Sequence, residues 1–175
     1  GLDRSLKYYP LVENTHHEGI LRLTVAPAQN ISKSLQKKAE GYMYSLINEI
    51  DHVGVLTIEL FDSKDELIVN EIAPRVHNSG HWTIEGAHTS QFENHIRAIT
   101  NTPLGETSIK NQFNAMINII GEHGPIQKVL ETKNAHLHLY DKKERKDRKL
   151  GHITITSSSL EQLNQSIDAL KEFLP

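Results

Sequence analysis

Two hydrophobic periods run through the chain. A spacing of two, which marks a half-buried strand, appears over residues 5 to 13 and again over 20 to 26, on either side of the polar stretch NTHHEG. Helical spacing takes over from Ser32 to Ile50. There Leu35, Ala39, Met43, Leu46 and Ile47 fall on one face behind a serine cap, while Gln36, Lys37 and Glu40 take polar positions. VGVLTIELF, the turn SKDE and LIVNEI then predict an antiparallel hairpin. Ser90 to Thr100 predicts a second helix with the apolar stripe Phe92, Ile96 and Ile99, ended by Asn101 and Pro103. From about residue 104 the texture changes to short strands, NAMINIIG, AHLHLY and HITIT, followed by a helix from Leu160 to Leu174. Strands joined by hairpins rather than long crossovers predict an α+β antiparallel architecture, with a soft domain boundary between Pro103 and Ile109.

Composition narrows the field. The 175 residues, 37% of them hydrophobic, suffice for one compact domain or a domain with a small appendage. A net charge of -3 withholds the global basic field that non-specific nucleic-acid binding requires, so any basic patch has to be local. The lack of cysteine removes disulfides, thiolate metal sites and cysteine nucleophiles, and it suits a reducing cytoplasm. No apolar run approaches a membrane span, so no membrane partner is expected. The opening GLDRSLKYYP has neither an initiator Met nor a signal pattern, and the chain is expected to be a piece of something longer.

Candidate chemistry begins with two carboxylates. Glu59 sits among apolar neighbours in LTIELF, where a lone carboxylate is costly to desolvate. If the hairpin is centred on Asp65, Glu71 lies directly opposite, roughly 5 Å away on the same face. Like charges so placed call for a shared proton or a bound divalent cation, and Mg²⁺ carrying phosphates is the common solution. In a regular strand Asn70 points to the other face, unless a bulge intervenes. From spacing alone, the ordinary reading puts both glutamates on the wet face of a half-buried sheet.

The segment that follows, NEIAPRVHNSGHW, is dense in polar side chains. Pro74 stiffens its start and Gly80 permits tight geometry, so Arg75, His77, Asn78 and Ser79 can be held in place. Arg75 offers a planar fork to an anion, and the others add short-range donors and acceptors for a small polar substrate. A hydrogen-bonded surface loop anchored by Trp82 is the other reading.

NEIAPRVHNSGHW, preceded by VGVLTIELF and followed by SQFENHIRAITNTPLG, closely resembles the 5-(carboxyamino)imidazole ribonucleotide synthase family of ATP-grasp enzymes. The likeness runs from the first residues to about Asp147 and on to GHITIT. It implies the C-terminal half of an ATP-grasp domain over residues 1–105, and over 106–175 a small β-rich domain completing a ribonucleotide phosphate site. It further implies magnesium on Glu59 and Glu71, Asn70 at the ATP phosphates, and His16 at the nucleotide. Arg75 and His77 fall at the aminoimidazole ribonucleotide with the catalytic work, and Asn78 and Ser79 beside them as helpers. The reaction implied joins ATP, bicarbonate and 5-aminoimidazole ribonucleotide through carboxyphosphate, in purine synthesis, by a full-length homodimer. The family also needs an N-terminal domain and a lysine-bearing clamping domain, so the fragment alone is expected to be inactive.

DKKERKDRKLG links two strands with six basic residues against three acids. Such a loop can cradle a phosphate. The resemblance places Lys142, Arg148 and Lys149 on the ribonucleotide's 5'-phosphate, and the family commonly carries Pro-Gly where this chain has Lys146 and Asp147. A solvated charged turn is the ordinary alternative, above all for Lys143, Arg145 and Lys146. Eleven histidines invite zinc, yet only His136 and His138 share a strand face, and they are assigned to packing and hydrogen bonding. His52, His88, His95 and His123 receive no special role. Two rival functions stand beside the resemblance. One is a sister ribonucleotide ligase of the glycinamide ribonucleotide transformylase type, and the other is an RNA- or polyphosphate-binding module using residues 141 to 149. Acidic net charge and the few aromatic residues near that loop speak against nucleic acid.

Overall fold

The computed structural model describes residues 1–63 and 66–175. In chain order its elements are β1 (Glu13–His17), β2 (Ile20–Ala26), α1 (Lys33–Ile50), β3 (Thr57–Ser63), β4 (Glu66–Ala73), α2 (Thr83–Gly86), α3 (Gln91–Ile99), β5 (Phe113–Ile120), α4 (Ile126–Glu131), β6 (Ala135–Leu139), β7 (Lys149–Ser157) and α5 (Leu160–Ala169). Five strands form one sheet in the order β1-β2-β5-β7-β6, and β3 pairs with β4 separately. Every pairing is antiparallel, so the architecture is the expected α+β type. The β2–β5 pairing joins the stretches before and after residues 103–109 in a single sheet. Among the described residues no helix is long and apolar enough to cross a membrane.

The sequence of β5, FNAMINII, shows why it occupies the middle. Ala115, Ile117 and Ile119 alternate onto one face, where they meet Ile153 and Ile155 of β7 and Leu163 of α5. Met116 turns the other way and packs with Leu21, Ala26 and Trp82. Both faces of the strand are therefore covered, and each large buried side chain contributes about 1.5–3 kcal/mol. A third cluster sets Leu35 and Ala39 of α1 against Leu67 of β4. Ser32 caps α1 as expected, accepting from the backbone N–H of Leu35.

Several expectations need correction. Residues 5 to 12 form no strand, and β1 instead takes the first part of the polar stretch NTHHEG. The preceding segment is held by side chains rather than by a ladder: Gln36 Oε1 accepts from Leu11 N–H at 3.0 Å, and Thr107 Oγ1 donates to Tyr8 O at 2.6 Å. Strand β3 starts at Thr57, not at Val53. Lys64 and Asp65, the expected centre of the hairpin turn, lie outside the described residues. Helix α3 is turned over relative to its pattern. Gln91, Asn94 and Ala98 are buried, while Phe92, Ile96 and Ile99 are 38%, 56% and 46% exposed. The cause is hydrogen bonding: Asn94 Oδ1 accepts from Gly105 N–H at 2.8 Å and its amide donates to Tyr9 Oη at 2.8 Å, so the polar face has the partners. The last helix stops at Ala169 and gives way to a 3-10 turn, Lys171–Phe173.

Candidate functional site

Glu59 and Glu71 are direct cross-strand partners on β3 and β4 as expected, though a register shift brings them together rather than a regular hairpin centred on Asp65. The register slips between Glu59 and Leu60, leaving Asn70 as an extra residue of β4. The bulge turns Asn70 toward the pair, and its amide donates to Glu59 Oε2 at 3.4 Å. Asn70 therefore does not point to the opposite face. Among the described residues no group of three or more His, Cys, Asp and Glu forms a ready cage for a metal. Two opposed carboxylates instead fit a hard cation that brings most of its oxygen shell as water and phosphate, as Mg²⁺ does.

From Pro74 the chain leaves β4 and crosses to the central sheet. His77 is 9% exposed, and its Nε2 lies 3.8 Å from Glu59 Oε1. The backbone N–H of Ser79 is directed at His77 Nδ1 at 3.4 Å, with Ser79 Oγ 2.8 Å from the same atom. A backbone N–H can only donate, so Nδ1 carries the lone pair and Nε2 the proton facing Glu59. Burial holds the imidazole below its ordinary pKa; Glu59 opposes that shift and Arg75 adds to it. Arg75 is exposed and donates to Val76 O at 3.0 Å. Asn78 exchanges hydrogen bonds with Asn118 of β5, at 3.0 and 2.6 Å. Asn118 is fully buried and also donates to Leu21 O at 2.9 Å, so this amide pair bolts the loop to the sheet. Asn78 and Ser79 thus spend their side chains on holding the loop.

A second bulge delivers Lys149. Ile119 pairs with Gly151 and Ile120 with Lys149, which leaves Leu150 as the extra residue. Leu150 enters the core beside Ile153 and Ile155, and Lys149 is turned toward the opposite face. Burial is the largest cause of its lowered pKa, opposed by Glu59 and Glu71 and reinforced by Arg75 and Lys142. These groups therefore share one neighbourhood. Lys142 Nζ lies 5.2 Å above the Tyr140 ring. Arg148 folds along its own loop, donating to Lys143 O at 3.4 Å. At the loop's tip Asp147 has φ 60°, the left-handed conformation that favours glycine, and Arg148 N–H closes the turn on Arg145 O at 3.1 Å. Glu144 braces the loop from outside by accepting from His123 N–H at 2.8 Å.

His16 stands at a third bulge, between Thr15 and His16 of β1. With Glu59, Asn70 and Ser79 it lines a cleft of about 730 Å³ that runs along α1 and β3.

The structure also gives His138 the packing and hydrogen-bonding role expected of it, among residues for which the sequence offered none. His138 and His152, paired on β6 and β7, stack with ring centroids 4.4 Å apart. Tyr140 Oη is hydrogen-bonded to His152 Nδ1 at 2.6 Å, and Glu85 holds His138 Nε2 at 2.8 Å. His81 packs on His152 from the loop side, at 5.1 Å. Burial drives His81 down to about 4 and His152 to about 3, with neighbouring imidazoles acting in the same direction. The HxH alternation of AHLHLY was the visible signal. Its partner on the next strand depended on register.

A sequence model of the ATP-grasp domain matches residues 2–92, and one of the phosphoribosylaminoimidazole carboxylase C-terminal domain matches 114–166. The N5-carboxyaminoimidazole ribonucleotide synthase of Pseudomonas aeruginosa is 49% identical over 153 residues, which is 87% of this chain and 41% of that protein. The crystal structure of the N5-carboxyaminoimidazole ribonucleotide synthetase from Thermus thermophilus superposes with a TM-score of 0.93 at 52% identity, covering 95% of this chain and 46% of that one. The Aspergillus clavatus synthase in complex with ADP and 5-aminoimidazole ribonucleotide gives a TM-score of 0.88 at 36% identity, over 94% and 46% of the two chains. The chain spans less than half the length of these relatives. A domain model covering more than half of its residues, together with this likeness along its length to N5-carboxyaminoimidazole ribonucleotide synthases, places the chain in the ATP-grasp family.

Proposed function

We propose that the full-length protein carrying this chain couples ATP cleavage to the carboxylation of 5-aminoimidazole ribonucleotide by bicarbonate, giving the N5-carboxylated product, ADP and phosphate in purine synthesis. The observation that carries the reading is the convergence of the carboxylate pair, Arg75, His77 and Lys149 at the junction of the two sheets. The whole-length likeness to synthases supports it.

In this reading Glu59 and Glu71 hold a magnesium ion, which when bound supplies positive charge against the nucleotide's phosphates. The Asn70 amide beside Glu59 and His16 across the cleft serve the nucleotide. The γ-phosphoryl group passes from ATP to bicarbonate, and the carboxyl carbon of the resulting carboxyphosphate is delivered to the exocyclic amine as phosphate leaves. Positioning and charge stabilisation are what such a transfer asks of a protein. Arg75 offers its fork to an anionic oxygen. His77, proton on Nε2, places the amine and donates a hydrogen bond. Lys149, Lys142 and Arg148 take the 5'-phosphate, with Lys149 the innermost of them. Asn78 and Ser79 act through the loop they brace. Residues to about 105 would supply the nucleotide side and residues 106–175 the phosphate side, in a cytoplasmic homodimer.

The test is ADP release by the full-length protein with ATP, magnesium and bicarbonate, with and without 5-aminoimidazole ribonucleotide. Release that depends on the ribonucleotide and is lost in Arg75→Ala supports the reading. Release stimulated equally by glycinamide ribonucleotide and formate would move it to the sister ligases.

A further inference from the structure

We propose that Gln91 is a positioning residue whose carboxamide clamps the backbone of His77 on both sides and so aims the imidazole at Glu59. The clamp stands on geometry alone, and its consequence for turnover rests on the carboxylation reading.

Gln91 is the first residue of α3 and is 3% exposed. Its Oε1 accepts from His77 N–H at 2.9 Å, and its Nε2 donates to His77 O at 2.7 Å. One side chain thus satisfies both backbone groups of one residue, as the facing residue of an antiparallel ladder would. His77 is held extended, at φ -123° and ψ 150°, although among the described residues it belongs to no strand ladder. The second N–H of Gln91 is directed at His81 Nδ1, 2.9 Å away. Burial keeps that ring neutral at physiological pH, so the lone pair on Nδ1 stays available to accept.

The surroundings are shaped to this amide. A Cβ added at Gly80 would fall 2.5 Å from Gln91 Oε1 and 2.7 Å from its Cδ, so the carboxamide lies flat on the glycine backbone. Thr83 Oγ1 accepts from Gln91 N–H at 3.0 Å and donates to Gly80 O at 2.6 Å, fixing the helix start to the same turn. Gln91 therefore sets the main chain of His77, Ser79 sets its ring, and together they place Nε2 3.8 Å from Glu59 Oε1. A bound geometry misplaced by 1 Å can cost about 100-fold in rate, which makes such a clamp consequential.

The experiment uses the full-length protein and three variants. Gln91→Met keeps the volume and loses every hydrogen bond of the amide. Gly80→Ala leaves Gln91 in the sequence but pushes its amide aside. Asn94→Leu breaks a buried amide on the same helix that touches Tyr9 and Gly105 rather than His77. Gln91→Met and Gly80→Ala are expected to lower kcat about 10- to 100-fold with KM for ATP unchanged, whereas Asn94→Leu lowers Tm but spares kcat. Wild-type kcat in Gln91→Met, or an equal kcat loss in Asn94→Leu at matched Tm loss, would overturn the proposal. A second readout needs no turnover. In hydrogen exchange the His77 amide, which donates to Gln91 Oε1, is expected to give a slow-exchange pattern in the wild type and to exchange at least about tenfold faster in Gln91→Met. An unchanged pattern in the variant overturns the clamp even if the wild type proves to carboxylate nothing, an outcome that counts only against the function.

Discussion

Glu59 faces Glu71 because Asn70 is an extra residue between them and the hairpin's tip. The pairs from Ser63 with Glu66 to Leu60 with Val69 keep one register which, if continued, sets Glu59 against Asn70; the bulge moves it on by one residue to Glu71. Like charges directly opposed are destabilising, by about 0.2–1 kcal/mol. Glu71→Gln is therefore expected to melt no lower than the wild type without magnesium. With magnesium and ATP the wild-type full-length protein should gain Tm and the variant should not. An equal gain in both would remove the pair from cation binding.

Lys149 should separate from the rest of its basic loop. It is half-buried within the electrostatic reach of Glu59, Glu71 and Arg75, whereas Lys143 and Lys146 are exposed. Lys149→Met is expected to raise KM for the ribonucleotide by at least about tenfold, the loss of one charge-assisted hydrogen bond to phosphate. Lys143→Ala and Lys146→Ala are expected to stay within about twofold, as solvated charges do. Steady-state kinetics at fixed ionic strength checks both, and equal effects from all three would make the loop a diffuse electrostatic patch.

These two residues show how far the sequence could be read. The periods of two and 3.6 located α1, β2, the β3–β4 hairpin, β5, β6 and β7, most plainly in β5 and β7, which bury apolar faces in the core, whereas the hairpin leaves Phe61, Ile68, Val69 and Ile72 exposed. Bulges leave no mark on periodicity beyond one misplaced residue, yet bulges place His16, Asn70 and Lys149. Helix α3 misled for the opposite reason: its apolar stripe is visible in sequence, while the bonds that bury Gln91 and Asn94 run to loop backbone that no pattern encodes. The histidine stack likewise needed the β6–β7 register before His138 could be set beside His152.

The amide pair of Asn78 and Asn118 is expected to behave as a unit. Removing one partner leaves the other's buried amide unsatisfied, at about 1–3 kcal/mol. Asn78→Ala and Asn118→Leu should each lower stability by that amount in denaturant titrations, and the double variant by clearly less than the sum, since contacting residues couple by about 0.5–3 kcal/mol. Strict additivity would show that the two amides do not depend on each other.

Stability should fall with acid earlier than carboxylates alone require. In the fold His81 titrates near 4 and His152 near 3, against an ordinary value of 6.5, because burial disfavours the charged ring. Both folded values are depressed, so the unfolded chain binds the extra protons, and the neutral rings' contribution is fully present above about pH 6.5. It is lost as the pH falls from there toward 4 for His81 and 3 for His152, at up to about 1.4 kcal/mol per pH unit for each ring. Denaturant melts of wild type and His152→Gln between pH 7 and pH 4.5 test this. The variant should show the shallower slope, and parallel slopes would mean that His152 takes up its proton in the fold as readily as in the unfolded chain.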